Sequence, residues 1–203
     1  QKQTLRFAGH LRCLACLIEV MNVCVERWVK NVPQGERVAT TRVLVGDSWR
    51  TFSGNGEMLF WHRGDSRVPS ILNSSLMAFE KFCVEVLDAG GELQNLCDAI
   101  WDHCHNLALV GVLLSVAARY PERLSAELRP LMTSREILLW DRQHKATLEL
   151  QKLWMMGLWM TGKPLATAVT EWHDQPFRKL QIQQLAIERF LLDPSEQAFL
   201  ERL

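Results

Sequence analysis

Apolar residues recur at three- and four-residue steps over most of the chain, the spacing that lines one face of an α-helix. From Thr4 to about Val29 the series Leu5, Leu11, Leu14, Leu17, Ile18, Met21, Val25 and Trp28 predicts one long helix with a broad buried face, ended by Pro33 and Gly35. After Pro69, a residue suited to a first helical turn, Ile71, Leu72, Leu76, Phe79, Phe82, Cys83, Val86 and Leu87 keep the same period until Ala89-Gly90-Gly91 stops it. Leu93, Leu96, Cys97, Ile100, Trp101 and Cys104 mark the next helix. Between Leu107 and Arg119 the chain is apolar almost all round, which predicts the most buried element. Thr133-Ser134-Arg135-Glu136 has the spacing of a capping box and opens a long helix running towards Thr161. Gly162 and Pro164 break the pattern, Pro164 starts a helix to about His173, and Phe177 to Leu192 is the next. Asp193-Pro194 begins a last one, with Asp193 as its cap.

One stretch departs from this period. Thr40, Thr41, Val43 and Val45 are β-branched, Trp49 and Phe52 follow, and a Ser53-Gly54-Asn55-Gly56 turn leads to Met58, Leu59, Phe60 and Trp61. A small β-hairpin or irregular insert is expected near residues 38–67. The expected fold is therefore mainly α, an antiparallel helix bundle or an irregular α-solenoid carrying this insert. It divides into a long helix and linker over 1–37, the insert over 38–67 and a helical array over 68–203, continuous with 1–37. Gln1 opens the chain and Leu203 closes it inside a helical pattern, so a piece of a longer protein is expected.

Composition narrows the classes. With 203 residues, 48% of them hydrophobic and 23% charged, the chain is globular rather than disordered. Its 23 Lys plus Arg balance 23 Asp plus Glu, so the broad positive field that nucleic acid or an anionic membrane would need is missing. The longest apolar run, Leu107 to Ala118, reaches about 18 Å as a helix at about 1.5 Å per residue, short of a bilayer core of about 30 Å. Neither a nucleic-acid nor a membrane partner is expected. The six cysteines are scattered and no signal peptide opens the chain, which points to reduced thiols in the cytoplasm.

Four groups of residues bear on chemistry. Gly157 to Pro164 matches the phosphate-binding pattern G-x-x-x-x-G-K-[ST] until its last position, where proline lacks the hydroxyl that would hold magnesium. Gly162 and Lys163 are thus weak nucleotide candidates; a glycine C-cap with a lysine near the negative helix end and Pro164 beyond is the favoured explanation. Cys13 and Cys16, with His103 and Cys104, could complete a zinc tetrahedron, but Cys13 and Cys16 lie inside an apolar helical period rather than on a turn. No metal or cofactor is expected in these residues. Asp141 with His144, and Glu171 with His173 and Asp174, are acid–base pairs without a nucleophile turn, and no catalysis is expected from them. Trp49 and Trp61, beside His62 and Arg63 in the insert, are either protein-binding anchors or rings that pin the insert onto the helices.

The order of several strings carries a resemblance. Phe60-Trp61-His62-Arg63, Leu76-Met77-Ala78-Phe79-Glu80-Lys81, Leu87-Asp88-Ala89-Gly90, Ser115-Val116-Ala117 with Tyr120-Pro121, and Leu131 to Glu136 with Trp140-Asp141 together resemble a segment of very large bacterial STAND-type NTPases, the antiviral ones among them. The matching stretch runs from Phe60 to Arg142, with a weaker echo at Glu171-Trp172-His173. The resemblance implies a helical sensor region downstream of a nucleotide-binding core. In antiviral members such regions bind a phage structural protein, a terminase or portal subunit, and binding drives ATP-dependent oligomerisation of the parent chain. ATP and magnesium would then belong to the parent, and these residues would form a non-enzymatic recognition or scaffolding module. Two rivals stand beside it: a nucleotide-binding enzyme domain working through Gly157 to Lys163, and a purely structural spacer.

Overall fold

A computed structural model of the chain describes residues 2–31, 40–63, 70–124, 127–151, 167 and 170–192, the side chains of 2–13, 145–151 and 189–192 excepted. It is mainly helical with one small two-stranded antiparallel sheet, as the periodicity predicts. Helix α1 (Lys2–Asn31) turns Leu14, Ile18, Met21 and Val25 inward at steps of four and three, against α4 (Leu93–His103) and α5 (Leu107–Arg119). Every residue of α5 from Leu107 to Ala118 is buried. That is the fate its all-round apolar sequence demands, and α3 (Ser70–Asp88), α1 and α4 pack around it. Among the described residues, no helix is long and apolar enough to cross a membrane.

Among the described residues, the Asn22 side chain joins α1 to the α4–α5 connection. Asn22 donates to the His103 carbonyl at 2.8 Å and accepts from the His105 amide at 3.1 Å and from the Asn106 side chain at 2.7 Å. Asn106 is the cap of α5, its side-chain oxygen taking the Ala108 amide at 3.0 Å.

The insert differs from its predicted form in one respect. Strands β1 (Thr40–Val45) and β2 (Ser48–Ser53) pair from Thr40 with Ser53 to Val45 with Ser48, so the turn is Gly46-Asp47, not the glycine-rich string further on. Gly46 takes φ +59°, the left-handed conformation that a two-residue hairpin loop requires and glycine supplies at no steric cost. Ser53 to Gly56 starts a helix instead. Asn55 caps the short α2 (Gly56–Leu59) by accepting from the Met58 amide at 3.0 Å, and Gly54, at φ +142°, lies where a Cβ would strike the Met58 sulfur. Met58 and Leu59 are consequently helical, Phe60 ends the helix as its C-cap, and the 3-10 turn Trp61–Arg63 follows.

Two helix starts also shift. Helix α6 (Arg135–Gln151) is capped by Ser134, which accepts the Ile137 amide, while Thr133 accepts from the Leu44 amide at 2.8 Å and ties the hairpin to the helices. The stretch predicted as a helix from Phe177 breaks at Leu180: a 3-10 turn, Pro176–Lys179, ends there and α7 (Ile182–Leu192) begins after it. The cause of the second start is Asp141, whose carboxylate on α6 accepts the Ile182 amide at 2.7 Å. Pro69, the breaks at Gly162 and Pro164 and the last helix from Asp193 lie outside the described residues.

Candidate functional site

The densest set of polar groups in the described residues is internal, where α3, α5 and two 3-10 turns meet. Glu80 lies in the apolar stripe of Leu72, Leu76, Phe79 and Cys83 and is fully buried. A lone carboxylate there would be prohibitively costly without a cation. Arg178, from the turn 98 residues further on, supplies it bidentately, Nε to Oε1 at 3.1 Å and Nη2 to Oε2 at 2.6 Å. Trp172 donates its indole N–H to the same carboxylate at 3.0 Å.

Arg178 has more donors and spends them nearby. Nη2 also reaches the His62 carbonyl at 3.1 Å, and Nη1 lies 2.7 Å from Nδ1 of His173. Arg63 donates to the Arg178 carbonyl, to the Ser115 hydroxyl at 3.2 Å and, at 3.3 Å, to Nε2 of His62. Burial first, and the two arginines next, push His62 well below its ordinary range. His173 is pushed down to about 4 by burial and Arg178, and Arg63 down to about 10 by burial and Arg178.

Within this network, Nε2 of His62 lies 3.0 Å from the Ser115 hydroxyl, a distance at which a base can activate a nucleophile. The surroundings disable that chemistry. Both residues are fully buried, Arg63 competes for the lone pair the base would use, and Nδ1 of His62 has no hydrogen-bond partner among the described residues. It faces Gly111 of α5 instead, where a Cβ would overlap the Leu59 carbonyl and crowd that nitrogen. The third group that would orient a catalytic imidazole is therefore replaced by backbone.

The residues singled out in the sequence separate accordingly. Trp61 and His62 are fully buried, and Trp61 packs edge-on against Trp28 with centroids 4.9 Å apart, so the packing role fits this ring. Arg63 joins the internal network. Trp49 stays 49% exposed, with the Arg42 guanidinium 5.4 Å over its ring. Arg50 beside it donates to the Trp101 carbonyl at 2.6 Å and pairs with Asp102 at 2.9 Å, which fastens the hairpin to the end of α4. Cys16 and His103 are exposed and Cys104 is buried, and among the described residues no group of three metal-binding side chains forms. The side chain of Cys13 lies outside the described residues, as do Gly162 and Lys163. His144 stacks on Phe60 with centroids 3.8 Å apart, while Asp174 pairs with Lys179 on the surface.

Glu80, Ser115 and Arg178 were not among the expected site residues. The signal for Glu80 was available, since an acid in the middle of a helical apolar stripe implies a buried cation. Its partner carries no such mark. Compared with known protein families, with curated proteins and with solved structures, the chain matches none.

Proposed function

We propose that this chain works by contact rather than by bond-breaking, as a helical recognition or scaffolding module in a cytoplasmic STAND-like NTPase of antiphage defence. Its partner would be a protein trigger, a phage structural protein, whose binding is relayed to oligomerisation of the parent. One observation supports the contact role above the others. The most reactive-looking group in the described residues, Ser115 with His62, is sealed and misdirected for catalysis, while Trp49 with Arg42 over its ring stands exposed on a hairpin fastened at both strands. Large amphipathic rings stacked with arginine are the side chains that dominate protein interfaces. A neutral overall charge suits recognition by shape and local hydrogen bonds.

The test is co-purification with a panel of phage terminase and portal subunits. Retention of one of them, reduced at least tenfold by Trp49→Ala with the circular dichroism spectrum unchanged, is the expected result. Magnesium-dependent ATP binding by this chain that vanishes in Lys163→Ala would favour the enzyme reading instead. Trigger response in the full-length parent that survives Trp49→Ala together with Arg42→Ala would leave the module a spacer.

A further inference from the structure

The chain from Trp172 to Lys179 is held to the body of the molecule at two points: the Phe177 ring, buried in the core beside α5 under the Arg119 guanidinium, and the buried Arg178, which bonds Glu80 of α3. Of its side chains only Phe177 and Arg178 are buried, and most of its links to α3 and to the Trp61–Arg63 turn are polar. Arg178 bonds Glu80, the His62 carbonyl and Nδ1 of His173 at once. A guanidinium carries donors and no acceptor. Nδ1 of His173, 2.7 Å away, must therefore be the bare acceptor, with the ring proton on Nε2.

Protonating that nitrogen turns the bond into two N–H groups facing each other with like charge. Relief requires either the imidazole or the guanidinium to leave, and when Arg178 leaves, the clamp on Glu80 goes with it. His62 is constrained in the same sense, since neither of its nitrogens has a carboxylate to receive a second proton. We propose that the Glu80–Arg178 clamp is an acid-sensitive latch: protonation of His173, reinforced by His62, releases the segment 172–180 from α3 and the Trp61–Arg63 turn while the α5 core stays folded.

The charged neighbours favour this outcome. His173 faces Arg178 and Arg63, opposed by Asp174; His62 faces Arg63, Arg178, His144 and His173. The carboxylates of Glu80 on α3 and Asp141 on α6 act on Arg63, and Glu80 is held by Arg178 itself. The depressed value of His173, about 4, shows the closed latch resisting the proton that its open form takes up near the ordinary 6.5. Release stops short of α7, because Asp141 holds Ile182 separately.

Hydrogen exchange followed from pH 7.5 to 4.5 tests the latch, with rates normalised to intrinsic exchange. Below about pH 6.5 the opening equilibrium of residues 172–180 rises by about tenfold per pH unit for one histidine. Amides of α5 keep their protection over the same range. In His173→Asn, whose side-chain oxygen replaces the Nδ1 acceptor without titrating, the dependence falls by at least half on a logarithmic scale. Flat protection of 172–180 in the parent chain overturns the proposal, as does the full slope surviving in His173→Asn, or α5 losing protection in step with the segment. The comparison of segment and core within the unsubstituted chain decides the matter even where the variant folds poorly.

Discussion

A carboxylate and a guanidinium sealed together stabilise a fold only as a pair. Glu80 and Arg178 have side chains 0% and 1% exposed, so their desolvation roughly cancels their attraction. Removing one partner leaves the other buried and charged, at a cost of about 3–5 kcal/mol, whereas replacing both with apolar side chains is often neutral. Arg178→Met is accordingly expected to lower the urea unfolding free energy by about 3 kcal/mol or more, and Glu80→Met by a similar amount. The double variant should be the most stable of the three by about 1 kcal/mol or more, short of full recovery because the Trp172 indole and the His62 carbonyl lose their partner at about 1 kcal/mol each. Additive losses in the double variant would mean that the pair is not an energetic unit. At this scale the sequence was half legible. Glu80 in its apolar stripe announces a buried acid, but Arg178 stands between Phe177 and Lys179 in a chain with several other arginines, and only the fold selects it.

Elements were easier to read than their ends. The helices α1, α3, α4 and α5 follow the apolar period because burial, summed over many residues, outweighs local preference. Their boundaries depend on single hydrogen bonds that two neighbouring residues could each supply. Thr133 and Ser134 are both competent caps, and the choice falls to Ser134 because the Leu44 amide of β1 already engages Thr133. The hairpin turn differs for a similar reason: Gly46-Asp47 and Gly54-Asn55 are both turn formers, and Asn55 is taken by the Met58 amide of α2. Such caps have measurable weight. Asn106→Ala removes the α5 cap and one of the two donors to the Asn22 side-chain oxygen, and should cost on the order of 2 kcal/mol. Asn106→Ser keeps a capping oxygen but not the link to α1, so about half of that loss should return in thermal or urea unfolding. A change below about 0.5 kcal/mol on Asn106→Ala would show that α5 is held by packing alone.

The described part of the molecule is organised around α5, and its thiols sit at depths that report how that arrangement opens. Cys83 on α3, Cys97 on α4 and Cys104 after it are buried and unoxidised, while Cys16 on α1 is exposed. Burial raises the Cys104 thiol to about 12 and pushes those of Cys83 and Cys97 up as well. The thiolate is the reactive form, so all three are protected twice, by access and by protonation state. None of them can be alkylated without moving α3 or α4 off the core, and cooperative opening of a domain this size costs at least about 5 kcal/mol. At pH 8 under native conditions Cys16 should therefore react with iodoacetamide at least about a thousandfold faster than Cys83, Cys97 or Cys104, read by peptide mass spectrometry. In denaturing urea the four rates should converge. If Cys97 is labelled early while Cys83 stays protected, α4 separates from α5 as a unit of its own, and the molecule is two cooperative bodies instead of one built on a common helix.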